Sequence, residues 1–514
     1  MAGLLAGLAL TLVALLLRVA AGVPLPVELA SDRIIPTLGV RTFGRLLGRV
    51  GGPLRGKNLA FLTSFGIQLA AAAAGGMLFG LLWPRLEGEG RRGFRRPGVL
   101  VGAALALMWV AATALLWPAL QSNYEGLTPG WSRLATAAGL LATFEAYAIV
   151  LPAAWGLLRP RPPSPSAEPP PGTGRLLPRR ALLAGGAGLL AGVAASGLAG
   201  LVYRRASFGA FGYDGLQLRG PRIDPVTPND RFYVVTKNLI DPRPSDRLWR
   251  LQVTGLVEHP RAYSLEELVR LPAVRQEQTL ECISNRVGSG LISNAVWTGV
   301  PLAVLLQAAG PRPGVRRVAM HASDGYVHTI SADKAMEPTT LVAHRMNGRE
   351  LPLRHGYPAR VLVPGTYGEV SVKWVDRIEL SAQPIEGYYE RQGWKPYFVN
   401  TMSRIDSPRS GQRIPAGGGP VAIRGVAFAG DRGISKVEVS VDGGRTWSEA
   451  RITYGPSKLA WVLWEVGWTP NGPGRYRISV RATDGLGATQ TPKAHGAVPA
   501  GATGWHTVAV EVAG

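Results

Sequence analysis

The side chains able to do chemistry in this sequence are concentrated late in its 514 residues. Cys282 is the sole cysteine, and all seven histidines (His259, His321, His328, His344, His355, His495 and His506) lie beyond residue 258. One thiol excludes an internal disulfide, a multi-cysteine zinc site and an iron–sulfur cluster ligated by this chain alone. A haem held between two histidines of the first 258 residues is excluded as well. Cys282 lies in Thr279-Leu-Glu-Cys-Ile-Ser-Asn-Arg286, followed by Gly288, Gly290 and Ala295-Val-Trp-Thr-Gly-Val-Pro-Leu302. A lone cysteine is often only a small buried hydrophobe. This one ends a strand-like run and opens a polar, glycine-containing loop with Ser284, Asn285 and Ser293 close by. A thiolate in such a setting can serve as a soft metal ligand.

The elements around Cys282 have two textures. Residues 222–395 mix short β-rich runs with helical pieces. Trp249–Val257 alternates like a strand, Ser264 to Glu267 opens a helix with a capping box, and Val361–Pro364 and Arg377–Leu380 read as strands. An α+β domain is expected. Over residues 403–514 the alternating runs Val421–Phe428, Lys436–Val441, Trp461–Val466 and Arg475–Ala482 are separated by turn signals such as Asp442-Gly443-Gly444. That spacing predicts an immunoglobulin-like β-sandwich with no cysteine pair to staple it.

Residues 1–204 read as a membrane region. Apolar runs near 4–23, 59–83, 99–120, 132–157 and 181–202 predict about five transmembrane helices, rich in the Gly and Ala that let helices pack closely in lipid. A Pro-rich linker covers 159–180, and no later run is long enough to span. The net charge of +22 is shared, with 19 basic against 7 acidic residues up to 204 and 37 against 27 beyond. Such even spread is unlike a nucleic-acid arm. The loop carrying Arg85, Arg91, Arg92, Arg95 and Arg96 and the one ending at Arg179–Arg180 are expected on the cytoplasmic side, which puts the soluble part outside. The first long loop, with Arg33, Arg41, Arg45, Arg49, Arg55 and Lys57, pulls the other way. Arg179–Arg180 reads either as an internal twin-arginine export signal or as a basic flank. Glu145, inside the fourth run, reads either as a functional candidate, because charge in hydrocarbon is costly, or as a protonated or snorkelling carboxyl near the helix middle.

Two further stretches extend the pattern around Cys282. One is Met346-Asn-Gly-Arg-Glu-Leu-Pro-Leu-Arg-His-Gly-Tyr-Pro-Ala-Arg-Val-Leu-Val-Pro-Gly365 with Val372-Lys-Trp374; the other is Val439-Ser-Val-Asp-Gly-Gly-Arg-Thr-Trp447. With the cysteine segment, they make the sequence from about Pro225 onward resemble the sulfite oxidase family of molybdopterin enzymes, which includes eukaryotic sulfite oxidases and nitrate reductases. The membrane half resembles the N-terminal part of some bacterial membrane-anchored members. The resemblance implies a multi-pass α-helical membrane region over 1–204, an α+β sulfite-oxidase-type molybdopterin domain over 205–402 and an immunoglobulin-like dimerisation domain over 403–514.

The resemblance also assigns residues. Cys282 would be the catalytic metal ligand, its thiolate joining molybdenum held by a pterin dithiolene and oxo groups. His355 and Arg360 match a pterin-contacting His and Arg, and Ser371, Val372 and Lys373 a strand end that reaches the pterin. The segment Tyr233, Val234, Val235, Thr236 and Lys237 matches the first cofactor-contacting stretch, and Asp324 a pterin-contacting acid. There are departures. Val287 and Val235 stand where sulfite oxidases carry arginines, and Trp394 where they carry a tyrosine near the metal. Two guanidiniums that would grip an oxyanion are thereby lost, with Lys237 and Lys395 as partial replacements. The expected function is oxygen-atom or two-electron transfer on a small extracytoplasmic S- or N-oxide or sulfite-like compound. The expected partners are the bilayer, a separate redox protein (a cytochrome or quinone-linked membrane protein), a second copy through 403–514, and no nucleic acid. A non-catalytic membrane receptor or assembly factor keeping the same fold is the rival reading.

Overall fold

The computed structural model describes residues 1–40, 42, 53–87, 95–158, 186, 190, 193, 196–197, 200, 223–238, 241–394, 398–415 and 419–513. The chain divides into two compact units. One comprises Met1–Ile34, Arg49–Phe211 and Asn238–Asp241; the other comprises Ile35–Gly48, Gly212–Lys237 and Pro242–Gly514.

The first unit is helical: α1 (Ala2–Ala20), α2 (Pro26–Ile34), α3 (Pro53–Glu87), α4 (Arg95–Leu116) and α5 (Pro129–Leu158). Three stretches are long and apolar enough to cross a bilayer: Ala2–Ala20, Leu62–Trp83 and Pro129–Leu158. The third expected run falls within α4, Arg95–Leu116, whose stretch Val101–Leu116 is apolar. The fifth, the linker 159–180 and Arg179–Arg180 lie outside the described residues apart from isolated helical positions. Helix α1 packs on α5 and α3. At the α1–α3 crossing, a Cβ on Gly3 would stand 2.4 Å from the Ala72 carbonyl oxygen and 2.9 Å from the Gly76 Cα. Only hydrogen fits there, as at small-residue crossings in lipid. Tyr147 of α5 donates to the Ala72 carbonyl (2.8 Å), and Arg18 pairs with Glu28 (3.0 Å), both buried, with its guanidinium over the Tyr124 ring. Glu145 is exposed on α5 and pairs with no described residue.

Among the described residues the second unit holds four sheets. Strands β1 (Leu251–Gly255), β2 (Arg261–Tyr263), β5 (Arg317–Ala322), β6 (Val327–Ser331) and β10 (Val375–Ser381) run in the order β2-β1-β10-β5-β6, with β1 and β10 parallel. Helices α6 (Leu265–Arg270), α7 (Leu302–Ala309) and α8 (Ala332–Met336) complete this mixed layer. The expected capping box is present: Ser264 Oγ accepts from the Glu267 amide while Glu267 accepts from the Ser264 amide. Of the run expected over Trp249–Val257, β1 covers Leu251–Gly255, Val257 forms an isolated bridge to Pro311, and Trp249 turns its indole N–H to the Val375 carbonyl (3.0 Å). Trp249, Leu251, Val253, Leu302, Leu305, Val318 and Ile378 are among the residues of the core beneath.

A second sheet carries the cysteine segment. Strands β3 (Val274–Glu281), β4 (Ile292–Pro301), β7 (Leu341–Met346) and β8 (Arg349–Glu350) run in that order, and β9 (Arg360–Leu362) pairs with β7. Two more sheets enclose a core in the C-terminal part. One joins β11 (Met402–Ser407), β13 (Val421–Phe428), β17 (Val462–Trp468) and β16 (Arg451–Tyr454). The other joins β12 (Arg413–Ile414), β19 (His506–Val512), β18 (Gly474–Asp484), β14 (Ile434–Ser440) and β15 (Ser448–Glu449). Ile423, Val437, Trp464, Ile478 and Val508 fill the space between them. The four alternating runs expected from the sequence are β13, β14, β17 and β18 within two residues at either end.

Candidate functional site

Cys282 is the first residue after β3, where the sheet hands over to a loop closed at its base by the Cys282 amide donating to the Leu291 carbonyl (2.9 Å). Asn285 braces the interior. Its amide donates to the Cys282 carbonyl (2.8 Å), its side chain donates to Glu281 (2.9 Å) and its Oδ1 accepts from the Leu291 amide (2.9 Å). The polar character of the loop is therefore spent largely on holding its shape. Cys282 is 8% exposed and shares an apolar cluster with Phe232, Tyr233, Leu280, Trp297 and Leu362. Burial pushes its pKa up to about 12, with the carboxylates of Glu369 and Glu281 adding like charge.

Against this cluster stands a cationic one. His355 closes a short turn at Leu353–His355 ahead of Gly356, whose φ of +114° suits glycine. A Cβ there would stand 3.0 Å from Lys373 and 3.1 Å from Arg360. His355 Nε2 donates to the Asn229 carbonyl (2.8 Å), which leaves Nδ1 the acceptor. Burial lowers its pKa to about 3, with Arg360, Lys373 and Arg354 adding positive charge. Arg360, at the start of β9, donates to the carbonyls of His355 (3.1 Å) and Ser371 (3.0 Å) and lies 5.1 Å from the Trp297 ring centroid. Its Nε is buried with no partner among the described residues. Lys373 donates to the carbonyls of Val235 (3.1 Å) and Arg354 (3.3 Å).

The expected residues mostly converge here. Tyr233 stacks on Phe232, which meets His355 edge-on at 5.3 Å, and its amide donates to Ser293 Oγ (3.2 Å). Val234 is buried, while Val235 and Thr236 are half-buried beside it. Lys237 lies 5.6 Å from the Tyr388 ring centroid, on the flank of the cluster. Ser371 uses its hydroxyl on the Val363 amide (3.2 Å), and Val372 accepts from the Val361 amide (2.8 Å), so both are tied to β9. Asp324 lies in the β5–β6 turn, buried and accepting from the Tyr326 amide (3.0 Å). Tyr326 links that turn to the thiol side by donating to the Glu369 carbonyl (2.9 Å). Of the three departures, Val287 is exposed, Val235 packs on the thiol cluster, and Trp394 is buried with its N–H on Gln392 (2.9 Å). Lys395 lies outside the described residues.

Four residues of this neighbourhood were given no role from the sequence, although Trp297 and Trp374 lie in the quoted stretches: Phe232, Trp297, Glu369 and Trp374. Glu369 has an Oε2 with no partner among the described residues, and burial raises its pKa to about 8. Trp374 has φ +52°, a left-handed conformation costly for a bulky side chain. Its N–H on the Leu353 carbonyl (2.8 Å) and its carbonyl on the Ser323 amide (3.0 Å) hold it there. No local signal marks Glu369 or the Trp374 backbone; the aromatic residues beside Cys282 carried the only usable hint.

The family model for the oxidoreductase molybdopterin binding domain matches residues 239–389, and that for the Mo-co oxidoreductase dimerisation domain matches 396–513. The sulfite oxidase of Arabidopsis thaliana is 32% identical over 301 residues, which cover 47% of this chain and 76% of that one. The chain belongs to the sulfite oxidase family. The mitochondrial sulfite oxidase of Rattus norvegicus is 30% identical over 47% of this chain and 52% of its own length. A nitrate reductase of Fusarium oxysporum is 31% identical over 40% of this chain and 28% of its own. The chain thus spans from about a quarter to about three quarters of these relatives. Among solved structures, the sulfane dehydrogenase SoxCD from Paracoccus pantotrophus aligns with 52% of this chain and 75% of that chain at 28% identity, with a TM-score of 0.49.

Members of the sulfite oxidase family are molybdopterin-dependent oxidoreductases, and molybdenum on molybdopterin is the cofactor this membership implies. The residues present fit that group. A thiol that burial keeps protonated is one that a metal cation would ionise. The Nε of buried Arg360, without a partner among the described residues, suits an anionic oxygen.

Proposed function

We propose that this chain is a membrane-anchored, multi-pass molybdopterin oxidoreductase whose soluble domains, 205–402 and 403–514, work on the extracytoplasmic side. Three apolar helices in the first unit support the anchor, and the loop charges described above support the sidedness. The carrying observation is that the only thiol packs in a cluster with Phe232 and Trp297, which in turn meet neutral His355 and buried Arg360, with half-buried Lys373 beside them. In this reading Cys282 ligates the metal, and His355, Arg360, Ser371, Val372, Lys373, Asp324 and Tyr233–Lys237 hold the pterin. The bound cofactor supplies the two-electron and oxygen-atom chemistry.

The chain's own residues do the rest. Arg360 and Lys373 are locked to backbone carbonyls, so their charges need no reorganisation when an anionic cofactor docks. His355 stays neutral and offers Nδ1 as an acceptor. Phe232, Tyr233 and Trp297 exclude water around the thiol. Glu369, protonated at neutral pH with a free Oε2, is able to give a proton on the thiol side. Valines at 235 and 287, where the resemblance expects arginines, leave a small oxyanion without the guanidiniums that would grip it. An uncharged S- or N-oxide is the better substrate class, with sulfite behind it. Electrons pass to or from a separate redox protein, and a second copy joins through the immunoglobulin-like sheets of 403–514, a region matched by the dimerisation family.

Elemental analysis of the detergent-purified full chain tests the reading, together with a turnover screen over sulfite, nitrate, methionine sulfoxide and amine N-oxides using an artificial electron donor. About one molybdenum per chain and turnover of a neutral oxide are expected. A chain without molybdenum sinks the cofactor assignment, and turnover of sulfite alone sinks the substrate class.

A further inference from the structure

The C-terminal sheets touch the cysteine loop with side chains whose burial their own core does not explain. On β11, Arg404 and Asp406 share one face of the strand, both under 5% exposed at the side chain, with Nε and Oδ1 2.8 Å apart. The same guanidinium donates through NH1 to the Ser289 carbonyl (2.7 Å), in the loop that Cys282 opens. Its NH2 is buried without a partner among the described residues. One side of that loop therefore rests on a guanidinium held by its own carboxylate.

A second prop stands beside the first. His506, at the start of β19, accepts through Nδ1 from the Ile405 amide (3.0 Å), so its ring is fixed by β11. Gly288 lies against the other edge of that ring: a Cβ there would come within 2.3 Å of Nε2, and its φ is +74°. The base strand is sewn to the same sheets. Thr279 of β3 donates its amide to the Leu459 carbonyl (3.0 Å), and its hydroxyl accepts from the Trp461 amide (2.8 Å). The 282–291 loop is thus gripped at Ser289 and Gly288, and its supporting strand at Thr279, by residues of the C-terminal part.

We infer that the C-terminal sheets set the position of the Cys282 thiol within the same chain, with Arg404 and His506 as positioning residues in addition to any part in dimer contact. Neither touches the reacting atoms. Arg404 acts through the Ser289 carbonyl, and a planar fork fixed by Asp406 resists displacement better than a flexible ammonium. The inference rests on Cys282 as the metal-binding residue only for its effect on catalysis. For the position of the thiol it needs the loop contacts alone.

The sole cysteine makes the test clean, because thiol labelling reports one site. Full-length chain purified free of cofactor is reacted with an aromatic disulfide reagent, and molybdenum is measured on protein made with cofactor. Arg404→Ala is expected to accelerate labelling at least tenfold and to lower molybdenum content several-fold. Arg404→Lys should fall between it and the parent, and it serves if the alanine variant does not fold. Val437→Ala, in the apolar core of the same sheets, should lower the melting temperature yet leave labelling within twofold of the parent. Unchanged labelling in both Arg404 variants overturns the inference, as does equal acceleration by Val437→Ala. A parent chain without molybdenum whose labelling still accelerates on Arg404→Ala removes the metal assignment and upholds the positioning role.

Discussion

The strands around Cys282 and those of the C-terminal sheets are built from similar residue types, yet they bury them differently. Along β19 the last five residues alternate between buried and exposed, as a strand with one wet face should. Along β4 the first five residues include four buried in succession, among them Ser293 and Asn294. In the C-terminal core the filling is apolar; beside the thiol, Arg360, His355 and Lys373 are held against backbone carbonyls. Strand β11 joins the two regimes. It belongs to a C-terminal sheet, but its first five residues are all buried, and Arg404 and Asp406 are among them because the cysteine loop lies over that face. The contrast separates positions kept for packing from positions that place charge where a ligand will need it.

That separation makes unequal demands on substitution. Cys282→Ser should abolish turnover and molybdenum retention while the melting temperature stays close to the parent's, since a hydroxyl is nearly isosteric and a poor soft-metal ligand. Retained activity would remove the thiolate assignment. Trp464→Ala, in the C-terminal core and 1% exposed, should cost about 3–5 kcal/mol in urea unfolding. A loss no larger than that of a surface change would show that this core does not carry the fold.

Acid provides a smaller effect. Burial lowers the pKa of His328 on β6 to about 4 and that of His355 to about 3. The unfolded chain binds these protons near pH 6.5, so the native state binds fewer between that value and pH 4. Stability should therefore be full above pH 6.5 and fall as pH drops, by up to about 3 kcal/mol for His328. His328→Gln should flatten the melting temperature over that interval; an unchanged slope would assign acid sensitivity elsewhere. Smallest of all should be Arg413→Ala. Its pairing with Glu511 at 3.4 Å is largely solvent-exposed, and a change within about 0.5 kcal/mol is expected. A larger loss would mean that this edge is covered in the assembled protein.

Much of this molecule was legible before any coordinates. Period-two alternation placed β13, β14, β17 and β18, because each has a buried and a wetter face and the pattern is local. The capping box at Ser264 was readable for the same reason, since both partners lie within one helical turn. Cys282, His355 and Arg360 were marked by spaced motifs, and they do gather in one neighbourhood. Glu369 was not, and neither was Arg404. A single carboxylate in Tyr367-Gly-Glu-Val370 and a single arginine on a strand carry no local mark; what distinguishes them is what folds over them.

The sequence by itself determined which chemistry was possible: one soft ligand, no histidine pair in the first half, apolar runs at the start and alternating strands at the end. Those properties depend on residue type and short-range period, which survive without tertiary contacts. Only the folded structure decided that Arg360 would keep beside His355 a nitrogen with no partner among the described residues, that burial would raise the proton affinity of Glu369 near the thiol, and that Arg404 would reach Ser289 across 115 positions of chain. Burial sets all three. It depends on which strands meet, and removing water is what turns an ordinary arginine or carboxyl into a group with a fixed direction and a shifted proton affinity.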